Sequence, residues 1–352
     1  MGLMIEQLLN TNYVKYDRMI EIVSRAFAGS SANELNIYID MYSMIKPLYT
    51  NKVYDINDYS SVTSCIINMC AHYREFFWTR FKVSTKFFIV YSKNAPYINN
   101  QFYPDYNGKN IYAFNSNKMV DDMIANNIGL LETLCQYLPD IHFIKGTFET
   151  GVIIYDLICR NEVQNNSPHM VITKDVYNYQ LVSMRNNIII LRPKKSNGQD
   201  LSYYINQNNL YRLYMQSRKA DYSKFPGSLS PGLLSLLMAL TSVKERDIKS
   251  LLNVRSALSQ LSQAVGEMRI LNGYNSDIQS VCLALGIDEK LPISSVTFEH
   301  RFKAIDIQFQ HSVFINTAEC KEITLNNLYD PDGVRAINNK YFKLNPLDLN
   351  RL

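Results

Sequence analysis

Short and almost wholly apolar segments alternate with long helical segments between residues 34 and 191. Several have the length and the β-branched or aromatic content of strands, namely ELNIYID, FFIVYS, IHFIK, MVITK and NIIIL. Strands that are apolar on both sides occur in parallel sheets whose two faces are covered by helices. The sequence therefore predicts an α/β fold with a mixed, mainly parallel sheet flanked by helices.

Helical periodicity fills the gaps between these strands. We expect helices at about residues 57–81, 119–138 and 148–160, where apolar residues recur every three or four positions. In a sheet of this kind, functional groups collect at the edge where the parallel strands end. Asp40 and Asp175 follow the first and the fourth strand, so both are expected at that edge.

The pattern changes near Leu201 and predicts an all-helical region from there to about Leu285. Near the end of the chain we expect a helix at 297–310 and a short strand at 312–316. The predicted divisions are an N-terminal helical extension, an α/β domain, a helical subdomain and a C-terminal extension, at residues 1–33, 34–200, 201–290 and 291–352.

Composition narrows the class of protein. Of the 352 residues, 47% are hydrophobic and 19% are charged, which is typical of a globular chain and not of a disordered one. The net charge of +4 is compatible with nucleic-acid binding but does not demand it. The six cysteines are scattered without a C-x-x-C pair, so we expect reduced thiols and no zinc site.

The expected location is the cytoplasm of a host cell or a virus particle. The N-terminal stretch carries Glu6 and Asp17 without a cleavable apolar core, and no apolar run reaches the roughly 20 residues of a membrane span. The chain is therefore expected to be neither secreted nor bound to a membrane. Tyrosine is frequent, at 25 residues, as are Asn, Ile and Lys, a bias that is typical of an AT-rich genome such as that of a phage.

Six motif-like stretches follow one another in a family-specific order. They are NIYIDMYSM, FFIVYSKNAP, FYPDYNGKN, GTFETGVIIYDLI, MVITKDVYNYQLV and LLSLLMALTSVKERDIKSLLNVRSALSQL. Together they resemble the 5′-nuclease or flap-endonuclease-like branch of the PIN-domain superfamily, which includes phage 5′-exonucleases and the 5′-nuclease domain of bacterial DNA polymerase I. The resemblance covers roughly residues 35–262 and implies a PIN-like α/β domain, a helical helix-three-turn-helix subdomain and a C-terminal extension.

This resemblance implies phosphodiester hydrolysis by two divalent ions that a dense ring of acids holds. Three acids, Asp40, Glu149 and Asp175, stand at the family's acid positions. The remaining acid positions carry Ser92, Gly151, Val152, Tyr177, Val243 and Arg246, with Glu245 or Asp247 as substitutes for the last if the alignment shifts; Ser242 stands at the glycine before the Val243 position. By resemblance, most of the catalytic acids are lost.

Two interpretations of the three remaining acids stay open. They could still hold one Mg²⁺ or Mn²⁺ ion, because ordinary PIN domains work with fewer acids. Alternatively, Asp40 and Asp175 cap the helices that follow their strands, and Glu149 lies in the first turn of a helix. In the second interpretation no cofactor is expected.

The resemblance also points to residues that could contact a DNA backbone. The helical arch of the family carries a Lys and an Arg where this chain has two asparagines, although a lysine lies between them. The helix-three-turn-helix region keeps several basic residues, but its turn contains no glycine and is less free to approach a phosphate. The candidate DNA-binding residues are Lys109, Lys244, Arg246, Lys249, Arg255 and Ser256.

These observations favour a catalytically degenerate 5′-nuclease-like protein. We expect it to be a structural or assembly component of a phage particle or of a DNA-handling complex, with other phage proteins, and in the second case DNA, as partners. Two alternatives remain. One is a residual 5′-nuclease or flap endonuclease that depends on Mg²⁺ or Mn²⁺, and the other is a binder of branched DNA that does not cut.

Overall fold

The computed structural model describes residues 33–41, 43–45, 59–92, 103, 118–165, 167–193, 195–196, 199–200, 203–220, 230–243, 248–266, 278–323, 329–342 and 346–347. The predicted N-terminal helical extension at 1–33 therefore lies, except for its last residue, outside the described residues.

A six-stranded sheet forms the centre of the described chain. Its strands are β1 (Glu34–Asp40), β2 (Ser84–Ser92), β3 (Ile141–Gly146), β4 (His169–Ile172), β5 (Ile188–Arg192) and β8 (Tyr203–Ile205), in the order β3-β2-β1-β4-β5-β8. All neighbouring strands are parallel except β5 and β8, which are antiparallel. A separate two-stranded ribbon consists of β6 (Lys195–Ser196) and β7 (Gln199–Asp200). The predicted mixed, mainly parallel sheet is confirmed.

Helices flank the sheet and follow it in the chain. Within the α/β part they are α1 (Tyr59–Phe81), α2 (Lys118–Cys135), α3 (Thr150–Asn165) and α4 (Tyr179–Met184). The later helices are α5 (Leu210–Ser217), α6 (Leu234–Leu240), α7 (Val254–Gly266), α8 (Ile278–Leu285), α9 (Ile287–Lys290), α10 (Ser295–Ile305), α11 (Ile307–Phe314), α12 (Ala318–Glu322) and α13 (Pro331–Tyr341). None of the helices within the described ranges is long and apolar enough to cross a membrane.

Strand β1 shows how the sheet divides the core. Ile37 and Ile39 belong to a cluster with α1 and α2, whereas Tyr38 belongs to a second cluster with α3 and the later helices. Alternate side chains of a strand point to opposite faces, so both faces of β1 are covered. Every residue of β1 from Leu35 to Asp40 is accordingly buried.

The predicted helix at 297–310 is largely confirmed, but it is divided into α10 and α11, which meet at Asp306. The predicted strand at 312–316 is wrong, because these residues lie in the end of α11 and in the turn that follows it. The Asp306 carboxylate accepts a hydrogen bond from the Phe309 N–H at 2.7 Å and so starts a new helix. A strand also appears beyond residue 200, because β8 pairs with the edge of β5.

Gln180 joins the α/β part to the C-terminal extension. Its fully buried side chain donates to the carbonyl of Ile305 at 3.2 Å and accepts from the Ile307 N–H at 3.2 Å. The same amide oxygen accepts from the Ser235 hydroxyl of α6 at 2.8 Å. One side chain of α4 therefore fixes both α6 and the junction of α10 and α11.

Arg301 joins the C-terminal extension to the turn between α6 and α7. It lies in α10, is 1% exposed, and its Nη2 atom donates to the carbonyls of Thr241 at 2.9 Å and Lys249 at 2.6 Å. These carbonyls flank an isolated antiparallel bridge between Val243 and Ile248. The guanidinium thus holds the two sides of the turn together.

Replacing Arg301→Met should lower the free energy of unfolding by about 2–4 kcal/mol, because two partly buried carbonyls lose a charged donor. Chemical denaturation measures this. Arg335→Met is the matched control, since Arg335 pairs with Asp332 on an exposed surface and should matter little. Equal effects of the two substitutions would contradict the assigned role of Arg301.

Candidate functional site

Two of the predicted acids meet at the carboxyl edge of the sheet. Asp40 ends β1, and Asp175 lies three residues beyond the end of β4. The two strands are parallel neighbours with Ile39 opposite Ile172, so their ends lie side by side. Thr173 links the two residues, because its hydroxyl donates to the Asp40 Oδ2 atom at 2.8 Å and accepts from the Asp175 N–H at 3.0 Å.

The Asp40 carboxylate is surrounded by hydrogen-bond donors of the protein. It is 1% exposed, and its Oδ2 accepts from the Thr173 hydroxyl at 2.8 Å and from the Asn178 amide at 3.0 Å. Its Oδ1 accepts from the Ser43 N–H at 3.3 Å. Both oxygens therefore have partners from the chain itself.

The position of Asp40 costs free energy when the carboxyl is ionised. Burial, followed by the negative charge of Asp175, raises the pKa of Asp40 to about 6, while hydrogen bonds from Thr173 and Ser43 oppose that rise. Burial disfavours the ionised form of a carboxyl group, and a neighbouring negative charge adds to that penalty. The hydrogen bonds reduce the cost of burial but do not remove it.

Asp175 caps the short 3₁₀ turn that follows it. Its Oδ1 accepts from the Tyr177 N–H at 2.9 Å, and its own N–H donates to the Thr173 hydroxyl at 3.0 Å. The turn, Val176–Asn178, leads directly into α4. The hydrogen bond from the Tyr177 N–H is a capping contact of the kind that the second interpretation expected of Asp175.

Glu149 immediately precedes α3 and is 1% exposed. Its carbonyl accepts from the Val152 N–H at 2.9 Å and the Ile153 N–H at 3.2 Å, which starts the helix. The following first turn packs against the Asp40 network, because a Cβ atom on Gly151 would overlap the Asn178 Oδ1 atom. The same Cβ would lie 2.9 Å from the Ile307 Cδ1 atom, so the C-terminal extension also reaches this point.

The residues at this edge do not fit the two-ion arrangement of the resemblance. Among the described residues, no three His, Cys, Asp or Glu side chains are grouped so that they could hold a metal ion. Thr173 and Asn178 direct donor groups, which repel a cation, at the Asp40 oxygen that a metal would need. The Tyr177 ring and the Val152 side chain, which the resemblance sets against acids, are fully buried.

The candidate DNA-binding residues are only partly described. Lys109, Lys244 and Arg246 lie outside the described residues. Lys249 precedes α7 and Arg255 lies in its first turn, and both side chains are exposed. Ser256 lies in the first turn of α7, where its N–H donates to the Asn253 Oδ1 atom at 2.9 Å.

Two cations at the same edge were not among the candidate site residues from the sequence, although Arg192 begins the R-P-K-K stretch, which reads as a small basic patch on a solvated turn. Lys174 is half-buried, and burial, followed by the positive charge of Arg192, lowers the pKa of its ammonium group. Arg192 ends β5 and donates to the Tyr179 hydroxyl. The adjacent R-P-K-K stretch was the available signal, but it resembles an exposed basic turn unless the register of β5 is known.

Two solved structures are similar to this chain over most of its length. A complex of the bacteriophage T5 flap endonuclease, described as a pseudo-enzyme–product complex with DNA and metal ions, is similar with a TM-score of 0.53 and 7% identity, over 88% of this chain and 98% of that chain. The bacteriophage T5 5′-exonuclease with bound zinc ions gives 0.53 and 8%, over 88% and 99%. No protein-family model matches the sequence, and no curated protein sequence does either. The chain has a fold like that of the 5′-nucleases and flap endonucleases.

Gly151→Ala should lower the free energy of unfolding by about 1–3 kcal/mol, because Asn178 is held by Asp40 and Thr173 and cannot yield space. Gly129→Ala is the matched control in another helix, where nothing lies within 4 Å of the added Cβ. It should raise stability by about 0.5–1 kcal/mol. If Gly151→Ala raised the free energy of unfolding as Gly129→Ala does, the packing described at Gly151 would be contradicted.

The pH dependence of stability should change sharply in Asp40→Asn. The raised pKa of Asp40, from 3.8 to about 6, adds stability below pH 4 that is lost as the pH rises through 6. His169 acts oppositely, because burial, followed by Arg185, lowers its pKa from 6.5 to about 4, so its contribution is lost as the pH falls through 4.

These two contributions offset each other in the wild-type chain between pH 4 and 6.5. The Asp40→Asn variant lacks the carboxyl group that stabilises the wild type at low pH. Its free energy of unfolding relative to that of the wild type should therefore fall by about 2 kcal/mol between pH 7 and pH 4. Denaturation curves at several pH values test this. Parallel pH profiles would show that Asp40 has an ordinary pKa.

Proposed function

We propose that this chain is a catalytically degenerate protein with the 5′-nuclease fold, used for assembly and not for cutting DNA. The observation that carries the proposal is the Asp40 carboxylate, whose oxygens accept hydrogen bonds from Thr173, Asn178 and Ser43. A metal-dependent nuclease needs those oxygens directed at an ion.

The packing around Asp40 supports the same proposal. A carboxylate at position 151 would overlap Asn178 and approach Ile307, and position 177 holds a buried aromatic ring. Under this proposal, closely packed side chains occupy the positions of the lost acids. Restoring a single acid would meet side chains that are already fixed by other contacts.

The assembly part of the proposal rests on composition and on the structural neighbours. The chain has the residue bias of an AT-rich genome, and the two similar structures reported above are bacteriophage T5 proteins. We therefore propose a component of a phage particle or of a phage DNA-handling complex, with other phage proteins as partners. It would be found in the virion or the host cytoplasm.

A second candidate is DNA binding without cleavage. Lys249 and Arg255 are exposed around the start of α7, and the Lys249 carbonyl accepts a hydrogen bond from Arg301. Exposed cations can contact a phosphate backbone without reading sequence. The structural neighbours described above include a complex with DNA.

Purified protein incubated with flap, nicked and single-stranded DNA in Mg²⁺ or Mn²⁺ should produce no metal-dependent cleavage. Asp175→Ala and Asp332→Ala, the latter on an exposed site of α13, should both behave like the wild type. Cleavage that disappears in Asp175→Ala but persists in Asp332→Ala would establish a residual nuclease and refute the proposal. Recovery of the chain in purified particles would support the assembly role over the cytoplasmic one.

The same mixtures distinguish the second candidate. A retained, uncut branched duplex whose affinity falls with salt, and falls further in Arg255→Gln, would favour DNA binding. No retention at low salt would eliminate it.

A further inference from the structure

The break between α11 and α12 is short. The Ile315 N–H still donates to the His311 carbonyl at 3.0 Å, and Ile315 has helical backbone angles. Thr317, by contrast, is extended, with φ −90° and ψ 159°. The sequence from Ile307 to Glu322 contains neither glycine nor proline, so its composition is compatible with one continuous helix.

The Thr317 hydroxyl stabilises the break. It accepts a hydrogen bond from the Cys320 N–H at 3.3 Å and donates to the Phe314 carbonyl at 2.7 Å. The first contact caps the start of α12. This cap belongs to the bent form, because the Cys320 N–H would bond to a backbone carbonyl in a continuous helix.

Helix α12 is bound to the α/β part by polar contacts. The Glu319 carboxylate accepts from the Thr147 N–H at 2.6 Å and also from the Thr147 hydroxyl. The Cys320 carbonyl accepts from Arg160 of α3 at 2.7 Å. Thr147 directly follows β3, and a Cβ atom on Gly146 would overlap the Glu319 carboxylate. Helix α12 therefore packs closely on the end of β3.

Helix α13 and the residues after it reach the other face of the sheet. Phe342 and Leu347 belong to the hydrophobic cluster with α1 and α2, whereas Cys320 belongs to the cluster with α3. The Asp330 N–H donates to the Tyr137 carbonyl at 3.2 Å, shortly before β3. The end of the chain thus contacts both faces of the sheet beside β3, which is its edge strand.

We propose that two copies of this chain exchange α12 and α13 when the break at Thr317 straightens. The contacts named above all join these helices to parts of the chain that precede the break, so a second copy offers an identical set. Exchange of an identical element between copies is a low-cost route to a dimer. The inference rests on the assembly role in the proposed function and deepens it, because it names a second copy as the partner.

The break decides the balance between the closed monomer and the exchanged dimer. Both forms contain the same contacts of α12 and α13, so their free energies differ mainly in the conformation of residues 315–317 and in the entropy of association. An open monomer is disfavoured, because it would expose apolar side chains such as Phe342, which is 1% exposed in the closed form. A substitution at Thr317 should shift the balance without changing the buried contacts.

Sedimentation equilibrium of the full chain, after incubation until the distribution is constant, tests the exchange. Thr317→Ala removes the cap and supplies a better helix former, so its dimerisation constant should exceed that of the wild type by about tenfold or more. Thr317→Gly also removes the hydroxyl, but glycine is tolerated at a cap and disfavours a continuous helix. Its dimerisation constant should stay within about threefold of the wild type.

Ser294→Ala is the matched control, because the Ser294 hydroxyl caps α10 by accepting from the Thr297 N–H at 3.2 Å. It loses a cap far from the break, and its dimerisation constant should stay within about twofold of the wild type. Isotope-filtered NMR on a mixture of differently labelled Thr317→Ala copies then locates the contact between Thr147 and Glu319. We expect this contact to join two different copies.

The proposal is overturned if Thr317→Ala dimerises no more than Thr317→Gly, or if Ser294→Ala dimerises as strongly as Thr317→Ala. It is also overturned if Thr147 and Glu319 of the same copy remain in contact in the dimer. These results are separate from the test of the proposed function. A chain that stays monomeric in solution but is recovered in purified particles would refute the exchange and keep the assembly role, whereas metal-dependent cleavage would refute the proposed function alone.

Discussion

The rest of the site depends on how the buried Asp40 carboxylate obtains its hydrogen bonds. Its donors come from the end of β4, from the 3₁₀ turn before α4 and from the residues after β1. Asn178 must therefore sit in one position, which in turn leaves room only for a glycine at 151. The Asp40 carboxyl, at the carboxyl edge of the sheet, is thus held in a closed network of hydrogen bonds, and its burial raises its pKa.

The sheet could be predicted because each strand carries its own signal. Segments such as FFIVYS are apolar on both faces, and only a covered parallel sheet accommodates them. The meeting of Asp40 and Asp175 followed from the same logic. The partners of Asp40 could not be predicted, because Asn178 is 138 residues away in the chain and its amide has no local pattern. Residues 312–316 were misread because a short apolar run fits a strand or a buried helix equally well.

The C-terminal extension makes a larger contribution than its sequence suggested. Gln180 bonds the junction of α10 and α11, Arg301 holds the turn before α7, and Ile307 packs beside Gly151. Each contact joins the extension to a part that the resemblance associates with catalysis or DNA binding. In the proposed account, positions once suited to metal and phosphate have become internal packing surfaces.

The most direct test of this account is the binding of Mn²⁺, followed by its relaxation effect on the backbone amide signals of residues 173–178. The account predicts no saturable Mn²⁺ site and unchanged signals at millimolar ion concentrations, because the Asp40 oxygens are already bonded to Thr173, Asn178 and Ser43. Saturable broadening of these signals that is lost in Asp40→Asn would contradict it and would restore a metal centre to this edge.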